Sequence, residues 1–170
     1  NGQMLKEEGY STDLFATEAV TLLKNRDKSK PVFLYMPFNA PHVVTPEGGP
    51  QAPEELTAKY QKIGLGRKST RAAAIDSMDQ AIGKVLKTLD EEGMTQNTLV
   101  MFFCDNGPAG GGSKKRGKSR SAPQNTGGTL HLRGGKGSLL EGGIRVPAVI
   151  RWPAVIKPGG KSQQLFSAQD

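Results

Sequence analysis

The 170-residue chain is long enough for one ordinary domain, and its 35% hydrophobic residues can supply a buried core. Its formal charge of +7 is concentrated in residues 113–120 (SKKRGKSR), where no aromatic side chain is present to stack on bases, so we interpret this stretch as a solvated loop and not as a nucleic-acid site. No apolar run has the length of a membrane span, and the N-terminus lacks the pattern of a signal peptide.

The first predicted element is a helix of about three turns, which Ser11, Thr12 and Asp13 can cap with their side-chain oxygens. Its apolar residues recur at helical spacing and should pack on one side: Leu14, Phe15, Ala19, Leu22 and Leu23. After a polar turn, residues 32–38 (VFLYMPF) form a continuous apolar run. Such a run is typical of a strand that is buried on both faces.

Residues 43–68 are rich in Pro and Gly, and we interpret them as a surface loop with one helical turn near Glu54 to Tyr60. A longer helix begins at Ser69 and ends near Gly93. Its apolar residues form one stripe: Ile75, Met78, Ile82, Val85, Leu86 and Leu89.

Two further apolar runs, residues 98–104 (TLVMFFC) and 146–152 (VPAVIRW), are strand candidates. Because these strands and the run at 32–38 alternate with helices, the sequence predicts an α/β domain. We expect a largely parallel or mixed sheet that is flanked by helices.

Polar side chains follow two of the predicted strands. Asp105 and Asn106 come directly after residues 98–104, and His42 follows residues 32–38. If these strands are parallel, their ends share one edge of the sheet, where ligands bind in such folds. A carboxylate beside an amide suits Ca²⁺ or Mg²⁺, although Asp-Asn-Gly is also ordinary turn chemistry.

His42 is a candidate acid or ligand because a proline fixes the backbone before it, although a lone loop histidine is more often a surface residue. Residues 132–147 (LRGGKGSLLEGGIRVP) place glycines on both sides of Lys136. Glycines allow the backbone to approach a ligand closely, and the ammonium can bind an oxyanion. The alternative is a flexible basic loop. The phosphate-binding spacing GxxxxGK[ST] is absent, so nucleotide binding has no support.

Four segments, taken in order, resemble the type I sulfatases, the formylglycine-dependent arylsulfatase-like enzymes of the alkaline phosphatase superfamily. The segments are FLYMPFNAPH, SMDQAIGKVLKTLDEEG, NTLVMFFCDNG and LRGGKGSLLEGGIRVPAVIRWP. The resemblance covers nearly the whole chain except residues 43–68 and 108–131, which we interpret as variable loops. It implies that residues 1–170 are the C-terminal part of a sulfatase catalytic domain with an alkaline-phosphatase-like fold.

The resemblance also implies roles for the polar residues. Asp105 and Asn106 match ligands of Ca²⁺, which we expect in preference to Mg²⁺. His42 and Lys136 match residues that contact the sulfate, with His42 placed to assist the leaving oxygen. Together a divalent cation, a lysine and a proton donor would stabilise the charge that develops when a sulfate ester is cleaved.

The nucleophile of the family has no counterpart in this chain. Family members use a formylglycine made from the Cys or Ser of a CxPSR-type motif, and no such motif occurs here. Cys104, the single cysteine, lies within a predicted strand and lacks the Pro and Arg that the modifying enzyme reads. We therefore expect the chain to belong to a longer sulfatase and to be inactive alone.

The resemblance implies a small sulfate ester or a sulfated glycan as substrate, no nucleic-acid or membrane partner, and a periplasmic, extracellular or lysosomal location. Two alternatives stay open. The first is a phosphoesterase or phosphonate hydrolase of the same superfamily. The second is a non-catalytic module that binds polyanions through residues 113–120, and its binding should weaken steeply with salt.

Overall fold

The computed structural model describes residues 6–44, 49–109 and 132–167, which fall into two compact units, Asn1–Thr95 and Gln96–Asp170. The first unit contains helices α1 (Ser11–Asn25), α2 (Glu54–Lys62) and α3 (Ser69–Glu91), with a 3₁₀ turn at Gly66–Lys68. After a 3₁₀ turn at Thr95–Asn97 come strand β1 (Val100–Phe103), the short helix α4 (Glu141–Ile144) and strand β2 (Ala148–Arg151). None of the helices described is both long and apolar enough to cross a membrane.

Small side chains form the core of the first unit, in which α1 packs against α3. The fully buried residues include Ala16 of α1 and Ala73, Ala74 and Ala81 of α3. The α3 helix is confirmed, but its predicted stripe of larger apolar residues coincides only in part with the buried face, since Leu89 is buried while Ile75 is 46% exposed. Alanine and serine allow two helix backbones to approach closely, and larger side chains then lie at the edges of the contact.

The predicted N-caps of α1 lie one to three residues after the observed N-cap. Tyr10 is the N-cap, and its side chain accepts no hydrogen bond from the helix, while Ser11 and Thr12 lie inside the first turn. Their side chains therefore do not cap α1, and the prediction of capping is wrong. Asp13 lies in the first turn, where a negative charge is favourable, and its carboxylate is 3.6 Å from Lys84 Nζ.

Two clusters of charged side chains connect the helices. Near the C-terminal ends of α1 and α3, Arg26 Nη1 donates to Glu92 Oε2 at 2.8 Å and to the carbonyl of Leu23 at 2.6 Å. The hydrogen bond from Arg26 lowers the pKa of the Glu92 carboxyl. Between α2 and α3, Lys59 Nζ donates to Asp76 Oδ2 at 2.7 Å, and Tyr60 donates to the same oxygen at 3.1 Å.

The helix α2 corrects the interpretation of residues 43–68 as a loop with a single helical turn. Glu54–Lys62 is helical throughout, and its Lys59 and Tyr60 both contact Asp76 of α3. Acidic residues in its first turn and basic residues in its last turn interact favourably with the helix dipole and so stabilise α2. The Pro and Gly content of residues 43–68 led to the prediction of a loop, although the prolines and glycines lie outside α2 and not within it.

The Asp76 cluster predicts a pH dependence of stability. The hydrogen bond from Lys59, followed by that from Gln80, holds the pKa of the Asp76 carboxyl below its ordinary value. A carboxyl whose pKa is lower in the folded state than in the unfolded state stabilises the fold. This contribution is complete at a pH above the unfolded-state pKa of about 4, and it is lost as the pH falls through the folded-state pKa. We expect Asp76→Asn to lower the free energy of unfolding at pH 7 by on the order of 1 kcal/mol and to flatten the loss of stability below pH ~4.

Urea unfolding of the protein at pH 7 and at acidic pH measures both effects. Asp79→Asn is the matched control, because Asp79 lies exposed on the same helix, α3. Equal acid sensitivity of wild type and Asp76→Asn would show that the cluster does not contribute through its charge.

Residues 32–38 do not form a strand. Exposure alternates along the segment, with Phe33 94% and Tyr35 73% exposed. A strand needs hydrogen bonds to a neighbouring strand, and the described residues contain none that pairs with this segment. The prediction of a strand that is buried on both faces is therefore wrong for these residues, and their predicted parallel relation to β1 is not tested.

The other two predicted strands are confirmed with shorter bounds. In the second unit, β1 and β2 pair antiparallel, with Val100 opposite Arg151 and Phe103 opposite Ala148. The α/β class is confirmed, since helices and a sheet are both present. The pair is not parallel, however, so the largely parallel arrangement is absent from the part of the sheet that the structure describes.

Candidate functional site

Asp105 and Asn106 follow β1 and Cys104 in the second unit. The Asn106 Nδ2 donates a hydrogen bond to Asp105 Oδ1 at 2.6 Å, so the polar ends of the two side chains lie together. Asp105 is exposed and Asn106 is partly buried. The end of β1 therefore presents a carboxylate with an amide beside it to a ligand. Cys104 is a free, exposed cysteine.

Two backbone hydrogen bonds join this segment to the loop that carries Lys136. The Gly107 N–H donates to the Gly143 carbonyl at 2.9 Å, and the Lys136 N–H donates to the Pro108 carbonyl at 3.0 Å. We call these two bonds the backbone clasp. They bring together two groups that are about 30 residues apart in the sequence, the Asp105–Asn106 pair and Lys136, whose side chain is exposed.

The backbone clasp depends on glycines that leave no room for a side chain. A Cβ added to Gly107 would overlap the carbonyl oxygen of Gly142, and one added to Gly143 would overlap that of Ser138. At Gly142 an added Cβ would lie 2.5 Å from the carbonyl oxygen of Gly134. The three glycines are buried. Their function is thus to allow close contact between main-chain atoms.

The two arginines near Lys136 act within the loop itself. The Arg133 carbonyl accepts the Gly142 N–H at 2.8 Å. The Arg145 Nη1 lies 3.0 Å from Glu141 Oε2, one helical turn earlier. The Arg145 contact involves its side chain, whereas the Arg133 contact involves only the main chain.

Ser138 is a residue of this loop that inspection of motifs did not single out. Its Oγ accepts the Leu140 N–H at 3.1 Å, directly before α4 begins at Glu141. Ser138 and Glu141 have the S-x-x-E spacing of a capping box, but α4 begins at Glu141 with Leu140 as its N-cap, so the spacing does not mark the helix start here.

His42 lies in the first unit, where its ring is held by the backbone. Nδ1 is 2.7 Å from the Val43 carbonyl oxygen, and the His42 N–H donates to the Asn39 carbonyl at 2.8 Å. A carbonyl oxygen can only accept, so this contact assigns the proton to Nδ1. Nε2 is then the nitrogen that accepts a proton in the neutral ring and donates one in the imidazolium.

A small cavity of about 30 Å³ adjoins His42. Two of its lining residues are hydrogen-bonded to each other, the Tyr10 hydroxyl donating to the Gln51 carbonyl at 2.9 Å. Its volume is sufficient for a water molecule. The residues that line it are Tyr10, Ser11, Asn39, Ala40, His42, Val44 and Gln51.

The donor set can supply only part of a calcium site. Ca²⁺ takes about six to eight oxygen ligands, of which Asp105 and Asn106 can provide two. Within residues 6–44, 49–109 and 132–167, no group of three or more His, Cys, Asp or Glu side chains could hold a metal. The chemistry of the pair fits Ca²⁺, and the remaining ligands would have to come from other groups. His131 and the basic stretch 113–120 lie outside the described residues.

A family model and individual proteins that match this chain are all described as sulfatases. A family model described as Sulfatase matches residues 1–170. An N-acetylgalactosamine-6-O-sulfatase of Bacteroides thetaiotaomicron is 36% identical over 161 residues, which are 93% of this chain and 28% of that protein. The steryl-sulfatase of Rattus norvegicus is 32% identical over 166 residues, 94% of this chain and 25% of that protein.

A solved structure also matches. The crystal structure of Ps i-CgsB in complex with k-i-k-neocarrahexaose has a TM-score of 0.69 and 34% sequence identity, and the match covers 90% of this chain and 30% of that one. The chain thus spans less than a third of the length of each of these three proteins.

Proposed function

The chain belongs to the sulfatase family, and from this premise we propose that the protein hydrolyses sulfate esters and that the chain supplies part of its cation and sulfate site. The predicted sulfatase resemblance and its alkaline-phosphatase-like fold are confirmed. The single observation that carries the proposed site is the backbone clasp, because it holds Lys136 next to the Asp105–Asn106 segment.

In this proposal Asp105 and Asn106 hold Ca²⁺, which when bound would stabilise negative charge on the sulfate group. Lys136 adds a point charge for a sulfate oxygen, at a position where flanking glycines allow close approach. A fixed positive charge accelerates the reaction only in so far as it binds the transition state more tightly than the ester. The position of the Lys136 ammonium relative to the sulfate therefore matters as much as its charge.

For His42 we propose the role of proton donor to the leaving oxygen. The hydrogen bond from Nδ1–H to Val43 fixes the ring and leaves Nε2 as the nitrogen that can transfer a proton. The formylglycine of the family would be supplied by a segment other than these residues, since the chain has no CxPSR-type motif and Cys104 lacks that context.

We propose a sulfated glycan as the substrate class, with a periplasmic, extracellular or lysosomal location. The names of two matched proteins support this choice, since one is an N-acetylgalactosamine-6-O-sulfatase and the other was crystallised with k-i-k-neocarrahexaose, an oligosaccharide. The match to a steryl-sulfatase supports the alternative of a small-molecule sulfate ester.

The test compares three substrates with the complete protein: N-acetylgalactosamine 6-sulfate oligosaccharides, 4-nitrophenyl sulfate and 4-nitrophenyl phosphate. We expect release of inorganic sulfate, with kcat/KM for the aryl sulfate at least about 100-fold above that for the phosphate. A preference for phosphate would overturn the proposal in favour of a phosphoesterase. Salt-sensitive binding of sulfated glycan without turnover would instead support a polyanion-binding module.

A further inference from the structure

Ser138 lies at the centre of the hydrogen bonds that shape the Lys136 loop. Its N–H donates to the Gly135 carbonyl at 2.9 Å, closing a turn around Lys136. Its hydroxyl accepts the Leu140 N–H at 3.1 Å, and the Leu140 carbonyl in turn accepts the Gly143 N–H at 2.7 Å. The residue therefore connects the turn that contains Lys136 to the start of α4.

Ser138 also fills the space beside two glycines of this loop. Its carbonyl oxygen occupies the position that a Cβ on Gly143 would need. Its Oγ lies 2.8 Å from the position of a Cβ on Gly134, which has a φ of +93°. The hydroxyl thus lies between the Gly134 backbone and the Leu140 N–H.

The same contacts extend to the Asp105–Asn106 segment. Gly143, which packs against Ser138, accepts the hydrogen bond from Gly107 in the backbone clasp. A shift of the 138–140 turn would displace Gly143, and with it one of the two bonds that hold the β1 end against the Lys136 loop. The position of Lys136 relative to Asp105 therefore depends on the turn that Ser138 closes.

We propose that Ser138 is a positioning residue, whose hydroxyl fixes the start of α4 and thereby the placement of Lys136 beside the Asp105–Asn106 segment. The proposal rests on the function proposed above for Lys136. Ser138 contributes no charge and no proton to the reaction. Its effect is entirely on the location of the lysine, and a displacement of about 1 Å in a catalytic group can cost on the order of 100-fold in rate.

The matched variants are Ser138→Ala and Ser162→Ala in the complete protein. Ser162 Oγ accepts the Gln164 N–H at 3.2 Å, which is the same kind of bond across the same spacing, and it takes no part in the backbone clasp. We expect Ser138→Ala to lower kcat for 4-nitrophenyl sulfate by roughly 10- to 100-fold, with wild-type kcat for Ser162→Ala. Ser138→Thr retains the hydroxyl and should restore most of the activity.

A double-mutant cycle separates positioning from a general loss of folding. If Ser138 acts through Lys136, Ser138→Ala should cause no further loss in a Lys136→Met background. If Lys136→Met lowers kcat and Ser138→Ala lowers it further by the same factor as in the wild type, the two residues act independently. That result would overturn the positioning role of Ser138 and leave the proposed function intact. Wild-type activity of Lys136→Met would instead overturn the proposed role of the lysine, and the inference with it. Thermal unfolding of each variant identifies any that fail to fold. If Ser138→Ala fails to fold, the test passes to Ser138→Thr: activity close to that of the wild type supports the role of the hydroxyl, and a loss of activity in this folded variant overturns it.

Discussion

Asp105→Ala in the complete protein is expected to lower kcat/KM for sulfate esters by at least about 10³-fold and to remove high-affinity Ca²⁺ binding. The variant removes the anionic oxygen at the end of β1 and leaves the neutral amide of Asn106, which binds a hard cation weakly by itself. A metal ion at the reacting group contributes several kcal/mol to transition-state stabilisation, and each ~1.4 kcal/mol is a factor of ten in rate. Steady-state kinetics and calorimetric titration with Ca²⁺ measure the two effects.

Asp79→Ala is the control for this experiment, because Asp79 is exposed on α3 and lies in no candidate site. It should bind Ca²⁺ and turn over substrate as the wild type does. Ca²⁺ affinity that is unchanged in Asp105→Ala would show that the carboxylate is not a ligand. The Asp-Asn-Gly segment would then be a turn that serves only to end the strand.

His42→Asn is expected to lower kcat by roughly 10²- to 10⁴-fold for an alkyl sulfate and by much less for 4-nitrophenyl sulfate. An alkoxide is a poor leaving group and needs a proton as it departs, whereas nitrophenoxide leaves without one. The Val43 carbonyl accepts from Nδ1, so the donation has to come from Nε2. The measurement is the dependence of kcat on the pKa of the leaving alcohol, across a series of sulfate esters.

The chain contains one other histidine, His131, and His131→Asn is the matched control. It should show the wild-type dependence on the leaving group. An equal loss for all esters in His42→Asn would mean that the ring supports the loop structure and does not transfer the proton.

Long helices could be predicted from the sequence because their apolar residues recur at helical spacing, and the strands because they form continuous apolar runs. The α3 helix was predicted with nearly correct bounds, and the runs at 98–104 and 146–152 contain β1 and β2. The buried face of α3 was predicted only at Leu89, because periodicity gives most weight to large residues such as Ile75, while the close contact is made mainly by alanines. Residues 32–38 show that apolar character alone does not produce a strand without a hydrogen-bonded neighbour.

The residue types of the candidate site could also be predicted, since polar side chains after a strand and glycines around a lysine are visible in the sequence. The way in which these residues come together in the fold could not be predicted from the sequence. The backbone clasp consists of main-chain donors and acceptors at Gly107, Pro108, Lys136 and Gly143, and every residue has such groups. Only the absence of side chains at the glycines indicates that two backbones meet there.

The crowding around Gly107, Gly142 and Gly143 limits which substitutions the loop can accept. At these positions even the smallest replacement, a methyl group, meets carbonyl oxygens that belong to the main chain and cannot rotate away. Nearby Leu139, by contrast, is almost wholly exposed. A side chain at the outward-facing position can therefore be exchanged without a clash, whereas at the three glycines even a methyl group would force the main chain to move.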